Sequence, residues 1–165
     1  MKIYSLKRVQ VLPLALPDAW RFFADPKNLQ KITPPHMGFS ILYQSGFGAM
    51  YAGQLVRYRI HVFPFVPMQW LTEITHVNEP HYFVDEQRFG PYAFWHHQHH
   101  LKAVPGGGVE VTDEVNYAIP LGWLGRFANA LFVERQLNAI FDYRYKVLEE
   151  FFNTAKMSVQ KPVSA

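Results

Sequence analysis

The sequence has no cysteine, and only 18% of its 165 residues are charged. The first absence excludes disulfides, thiolate chemistry and cysteine-ligated zinc. Sixteen Lys plus Arg against thirteen Asp plus Glu leave a net charge of +3, too small and too scattered to match a phosphate backbone, so no nucleic-acid partner is expected. Long hydrophobic runs are missing as well. The stretch from Met1 to Arg8 meets charge before an apolar signal segment can form, and no later run approaches the ~20 residues that span a bilayer. The expectation is a cytoplasmic protein with no integral membrane span.

Apolar and aromatic side chains are abundant: 49% of residues are hydrophobic, with 14 Phe, 9 Tyr and 4 Trp. At this length they supply one substantial core or the wall of one cavity. A single domain over residues 1–154 is predicted, with 155–165 as a frayed tail where the periodic pattern ends.

Hydrophobic alternation and turn signals order the elements. Ile3 to Leu12 reads as a strand. Pro17-Asp18 opens a short helix through Phe23, and Asn28 to Ile32 suits a second one before Pro34-Pro35. Strand-like runs follow at Phe39–Tyr43, Leu55–Val62, Met68–Val77, His81–Phe89, Tyr92–Val104 and Val109–Ala118. Short proline- and glycine-bearing connections between them predict an antiparallel meander. From Leu124 to Phe152 the period changes to three and four residues, through Leu131, Leu137, Phe141, Arg144 and Leu148, predicting one long amphipathic helix that covers the sheet.

This order of elements resembles the helix-grip superfamily, which includes START domains, birch-pollen-allergen-like proteins and bacterial polyketide cyclase/dehydrase-like (SRPBCC) proteins. The similarity runs through Phe23–Leu29 with Ile32–Pro35, then Asp85–Pro91, Trp95-His96-His97, His99, Thr112–Val115, Tyr117 and Pro120–Gly122. It ends on Phe132-Val133, Gln136-Leu137 and Ile140–Arg144. The resemblance implies an α+β fold in which a curved antiparallel sheet wraps a long C-terminal helix, with two short helices after the first strand. It also implies a pocket for a hydrophobic small molecule, lipid, isoprenoid or aromatic polyketide. Catalysis belongs to only some branches.

The chemistry-bearing residues cluster on two strands. In Trp95-His96-His97-Gln98-His99-His100, residues 95, 97 and 99 share one face, and on the next strand Asp113 shares a face with Val109, Val111, Val115 and Tyr117. Asp113 in an apolar row requires partners, and His97, His99 and Arg144 are the candidates. Arg57, Arg59, Trp70, Trp95, His97, His99, Asp113, Tyr117, Phe141 and Arg144 form the candidate ligand-binding set. For Arg57 and Arg59, Tyr58 and Ile60 form a competing inward set. Asp85 to Arg88 present the same ambiguity of face.

The leading expectation is noncatalytic binding, sequestration or transfer. A cyclase, dehydratase or hydrolase using His97, His99 and Asp113 is the enzyme alternative, and a protein-interaction module the third. Two same-face histidines supply neither the remaining ligands nor the geometry of a metal site, so no metal is assigned. Gly106-Gly107-Gly108 lacks the following Lys-Ser/Thr and helix of a phosphate loop, so no cofactor is assigned either.

Overall fold

A computed structural model describes residues 1–63 and 66–159. Seven strands form one antiparallel sheet in the order β1-β7-β6-β5-β4-β3-β2. They are β1 (Tyr4–Leu12), β2 (Ser40–Gln44), β3 (Gln54–Phe63), β4 (Val66–Asn78), β5 (Tyr82–Phe89), β6 (Phe94–Ala103) and β7 (Val109–Ala118). Helices α1 (Leu16–Phe23) and α2 (Pro26–Lys31) carry the chain from β1 at one sheet edge to β2 at the other. Each has proline in its first turn, where the missing N–H costs nothing, and the Asp25 side chain caps α2 by accepting from the Lys27 amide.

The predicted strands and the curved sheet around a C-terminal helix are present. Gly106, Gly107 and Gly108 all have positive φ in the β6–β7 turn, and the Val104 amide donates to the Gly108 carbonyl, so the triplet reverses the chain. In the proline-bearing connection between β3 and β4, Pro64 and Phe65 lie outside the described residues.

The C-terminal helix differs from the single rod read in the sequence. It consists of α3 (Gly122–Ala128), a π-helical segment at Asn129–Val133, and α4 (Glu134–Val159). A π turn inserts extra residues, and each one rotates the following helix by about 100° relative to the preceding one. The apolar stripe therefore breaks. Leu137, Phe141, Arg144 and Leu148 are buried against the sheet, whereas Leu131, assigned to the same stripe, is exposed along with Trp123, Leu124, Phe127 and Phe132. At the far end Phe152, rather than Phe151, is the buried residue.

Side chains tie α4 to both sides of the sheet. Arg8 on β1 donates to Asn138 (2.5 Å) and pairs with Asp142 (3.3 Å), and Gln10 donates to the Tyr145 carbonyl (2.9 Å). On the opposite side Gln136 donates to the Val62 carbonyl. None of the described helices is long and apolar enough to cross a membrane.

Two apolar clusters fill the space between sheet and helix. One centres on Tyr58, Trp70, Tyr92, Trp95 and Phe141, the other on Leu12, Trp20, Ile74, Phe83 and Leu148. The candidate site lies between them.

Candidate functional site

Strand alternation puts Trp95, His97, His99 and Leu101 on the buried face of β6, and Val109, Val111, Asp113, Val115 and Tyr117 on the buried face of β7. Pairing register then adds a residue that periodicity could not assign. Asp85 on β5 lies directly opposite His97, and Asp113 on β7 lies directly opposite His99. Each carboxylate faces one imidazole squarely and reaches the other diagonally.

The aligned hydrogen bonds follow the diagonals. His97 Nε2–H donates to Asp113 Oδ1 at 2.9 Å, and His99 Nε2–H donates to Asp85 Oδ2 at 2.8 Å. A carboxylate only accepts, so both Nε2 atoms carry hydrogen. The direct contacts are His97 Nδ1 to Asp85 Oδ2 at 3.4 Å and His99 Nδ1 to Asp113 Oδ1 at 2.9 Å. The last pair is close but not aligned as a hydrogen bond, and His99 Nδ1 is left without a directed partner. The two rings lie 3.7 Å apart between centroids, and Phe83 stacks on the outer face of His99 at 4.1 Å.

Helix α4 closes the cluster from above. Arg144 Nη1 sits 3.4 Å from Asp113 Oδ1 while its guanidinium lies 4.7 Å over the Phe141 ring. With neutral imidazoles the cluster holds two negative charges and one positive, and a proton on one histidine balances it. Burial and the neighbouring His99 push the His97 pKa down despite the carboxylates. Burial also opposes charge on His99, but hydrogen bonding and attraction from Asp113 and Asp85 outweigh it and leave its pKa raised. Of the two rings, His99 is the one whose charged form its surroundings favour. Burial raises the Asp113 pKa, but Arg144 and the two histidines hold it well below the usual carboxylate range; Asp85 is lowered against burial by the same imidazoles.

A cavity of about 160 Å³ separates the concave face of the sheet from α4. Its wall is mainly apolar and aromatic, including Tyr58, Trp70, Trp95 and Phe141, with Asp85, His97, His99 and Arg144 forming one polar side. Of the candidate ligand-binding set, Trp70, Trp95, His97, His99, Phe141 and Arg144 line this cavity. Asp113 and Tyr117 are buried but stand behind its wall, and half-buried Tyr143 does not line it.

Arg57 and Arg59 are corrected by the structure. Both are exposed on the convex face, while Tyr58 and Ile60 face the cavity. Tyr58 stacks on Trp70 and shares a buried hydrogen bond with Thr72, which leaves the guanidinium groups in water, where charge costs least. Asp85, Tyr58 and Thr72 are among the wall residues outside the candidate set read from the sequence. The only sequence signal for Tyr58 was the competing Tyr58/Ile60 alternation.

Comparison with known proteins places this geometry in a family. Residues 36–152 match the family model described as Domain of unknown function (DUF8410). The chain belongs to this family. No curated protein matches the sequence. Among solved structures, TTHA0849 from Thermus thermophilus is 16% identical with a TM-score of 0.66, covering 92% of this chain and 99% of that one. The Zhui aromatase/cyclase from Streptomyces is 13% identical with a TM-score of 0.66, covering 90% and 94%. A norcoclaurine synthase point mutant from Thalictrum is 12% identical with a TM-score of 0.62, covering 91% and 96%. At such identities the likeness shows the fold, which is the helix-grip fold of the START, SRPBCC and birch-pollen-allergen-like proteins. Its cavity is compatible with either ligand binding or catalysis.

Proposed function

We propose that this DUF8410 protein binds, sequesters or transfers a small hydrophobic molecule of one or two rings in the cavity between the sheet and α4. The observation that carries this reading is a mainly apolar, aromatic-rich space of about 160 Å³ with Asp85, His97, His99 and Arg144 on its wall. An apolar cavity of roughly 150 Å³ takes up a benzene-sized molecule, so this volume suits a compact ring system better than an extended acyl chain or a four-ring polyketide. A guest burying ~200 Å² of apolar surface gains about 5 kcal/mol. Without polar contacts that gain limits the dissociation constant to roughly 0.2 mM. Orientation and any tighter affinity fall to Asp85, His97, His99 and Arg144, and to the Nε1–H of Trp70, which is buried without a hydrogen-bond partner among the described residues.

The test is titration of the isotope-labelled protein with indole, followed by NMR, alongside mass spectrometry of organic extracts from the purified protein. Saturable shifts confined to residues such as Ile60, Trp70 and Phe141 are expected, and Ile60→Trp, which fills the space, should abolish them. A folded protein whose cavity signals do not respond to indole or to any extracted compound would refute the reading.

Acid–base chemistry on the guest is a second reading, favoured by the arrival of both imidazoles at the cavity wall. It expects the extracted guest to be converted by the wild type and retained unconverted by His97→Gln. Recovery of unchanged guest from the wild type excludes it.

A further inference from the structure

We propose that Asp85, His97 and His99 bind one divalent first-row transition ion, with Asp113 and Arg144 supporting the two imidazoles from behind. Two histidines two residues apart on a strand do not make a metal site, because a third ligand and a means of orienting the rings are missing. The fold supplies both. Pairing of β5 with β6 brings Asp85 opposite His97, and one ligand atom from each of Asp85, His97 and His99 lies within 4.8 Å of the others.

The distances suit a small ion. Ligand atoms about 2.0–2.1 Å from a tetrahedral metal stand about 3.3 Å from one another. Asp85 Oδ2 is 3.4 Å from His97 Nδ1 and 2.8 Å from His99 Nε2, so both edges to Asp85 come within about half an ångström of that spacing. These two nitrogens face Asp85 together, and the other nitrogen of each ring faces Asp113 Oδ1 at 2.9 Å. A metal-bound histidine characteristically gives its remaining N–H to a carboxylate, which fixes the ring and increases its basicity. Asp113 is placed to receive that bond from both rings.

His99 Nδ1 supplies an independent indication. It is buried, 2.9 Å from Asp113, and has no directed hydrogen-bond partner. With a metal on Nε2, the His99 proton resides on Nδ1, and a small rotation of the ring aligns it with Asp113. The charge is also favourable, because two carboxylates against one guanidinium leave the cluster anionic when both imidazoles are neutral. Two nitrogens and one oxygen select a first-row transition ion over Mg²⁺ or Ca²⁺, which prefer oxygen alone. Asp85, His97 and His99 line the cavity while Asp113 does not, so the remaining coordination positions face the interior. The proposal stands apart from the guest-binding reading, since it requires no organic ligand.

The experiment uses the untagged full chain after chelation, titrated with Zn²⁺ by calorimetry and with Co²⁺ by visible absorption. One ion per chain is expected. Asp85→Ala and His99→Gln should remove that site, and Asp113→Asn should weaken it by about ten- to a hundredfold. Absence of a stoichiometric site in the wild type, or undiminished binding in either ligand variant, would overturn the proposal. So would Asp113→Asn affinity equal to that of the wild type. If the ligand variants do not fold, X-ray absorption of the Zn²⁺-loaded wild type decides: two imidazoles in the coordination sphere support the site, and one or none overturns it.

Discussion

The Arg144–Asp113 contact offers the sharpest test of the buried cluster, through a double-mutant cycle performed in chelator. Arg144→Met removes the guanidinium and keeps an apolar stem over Phe141. Asp113→Asn removes the negative charge and keeps an oxygen to accept from His97. At 3.4 Å and an effective dielectric of ~20, the two unit charges attract by about 5 kcal/mol. The imidazoles share the Asp113 carboxylate, so the loss from Arg144→Met alone should be about 3–5 kcal/mol, the range for uncovering a buried partner. In a domain of this length that lowers the midpoint of thermal unfolding by about 6–20 °C. The double variant has neither charge to strand, and chemical denaturation should show it less damaged than the sum of the singles by about 2–3 kcal/mol. Additivity to within ~0.5 kcal/mol would show that the two groups do not share a buried field, refuting the electrostatic account of Asp113.

Three further outcomes follow from burial and register. Phe141→Ala should cost about 3 kcal/mol and Leu131→Ala less than ~0.5 kcal/mol in urea unfolding, because one lies on the buried face of α4 and the other is exposed within the π segment; equal losses would refute the break in the apolar stripe. Burial pushes the phenols of Tyr58 and Tyr92 upward, with the charges of Asp85 and Tyr117 respectively acting in the same direction. The sign is that of a raised folded-state pKa: stability is complete below the unfolded value near 10 and declines as pH rises above it. Absorbance at 295 nm should therefore show these two ionising only with unfolding, and titration of all nine tyrosines in a folded protein would contradict their burial. Of the four tryptophans, Trp20, Trp70 and Trp95 are buried and Trp123 is exposed, so Trp123→Phe should blue-shift the emission and remove most acrylamide quenching; unchanged quenching would place Trp123 in the interior.

Strands β6 and β7 were legible in the sequence because each carries a period-two pattern between explicit turn residues. Trp95-His97-His99-Leu101 and Val109-Val111-Asp113-Val115-Tyr117 needed no tertiary information to be placed on one face. Asp85 was not legible in this way. Phe83 and Val84 are both apolar and both buried, so alternation across them gives no preferred face, and only pairing with His97 across the β5–β6 turn settles it. Arg57 and Arg59 failed for a different reason: two cations suggested ligand recognition, but the neighbouring Tyr58 had an aromatic stack to join. The π segment had no local signature, since the three- and four-residue spacing of apolar residues continues through it while the helix phase changes.

The cavity and the polar cluster have a common origin in the layering of the core. His97 touches Trp95 and Phe141 of one apolar cluster, while His99 stacks on Phe83 of the other. Asp113 lies between Val111 and Val115, which belong to different clusters, and Arg144 lies between Phe141 and Leu148, which are divided in the same way. The polar residues thus form a belt across the middle of the grip, with aromatic layers on either side holding α4 away from the sheet. Aspartate and histidine are shorter than the flanking tryptophans and phenylalanines, and they hydrogen-bond to one another across neighbouring strands, with Arg144 reaching down from the helix to Asp113. The middle layer is consequently under-filled by large side chains, and space remains over Asp85, His97 and His99. The residues that leave room for a guest or an ion are therefore the same ones that give the space its chemistry, so filling the belt with large apolar side chains would remove both together.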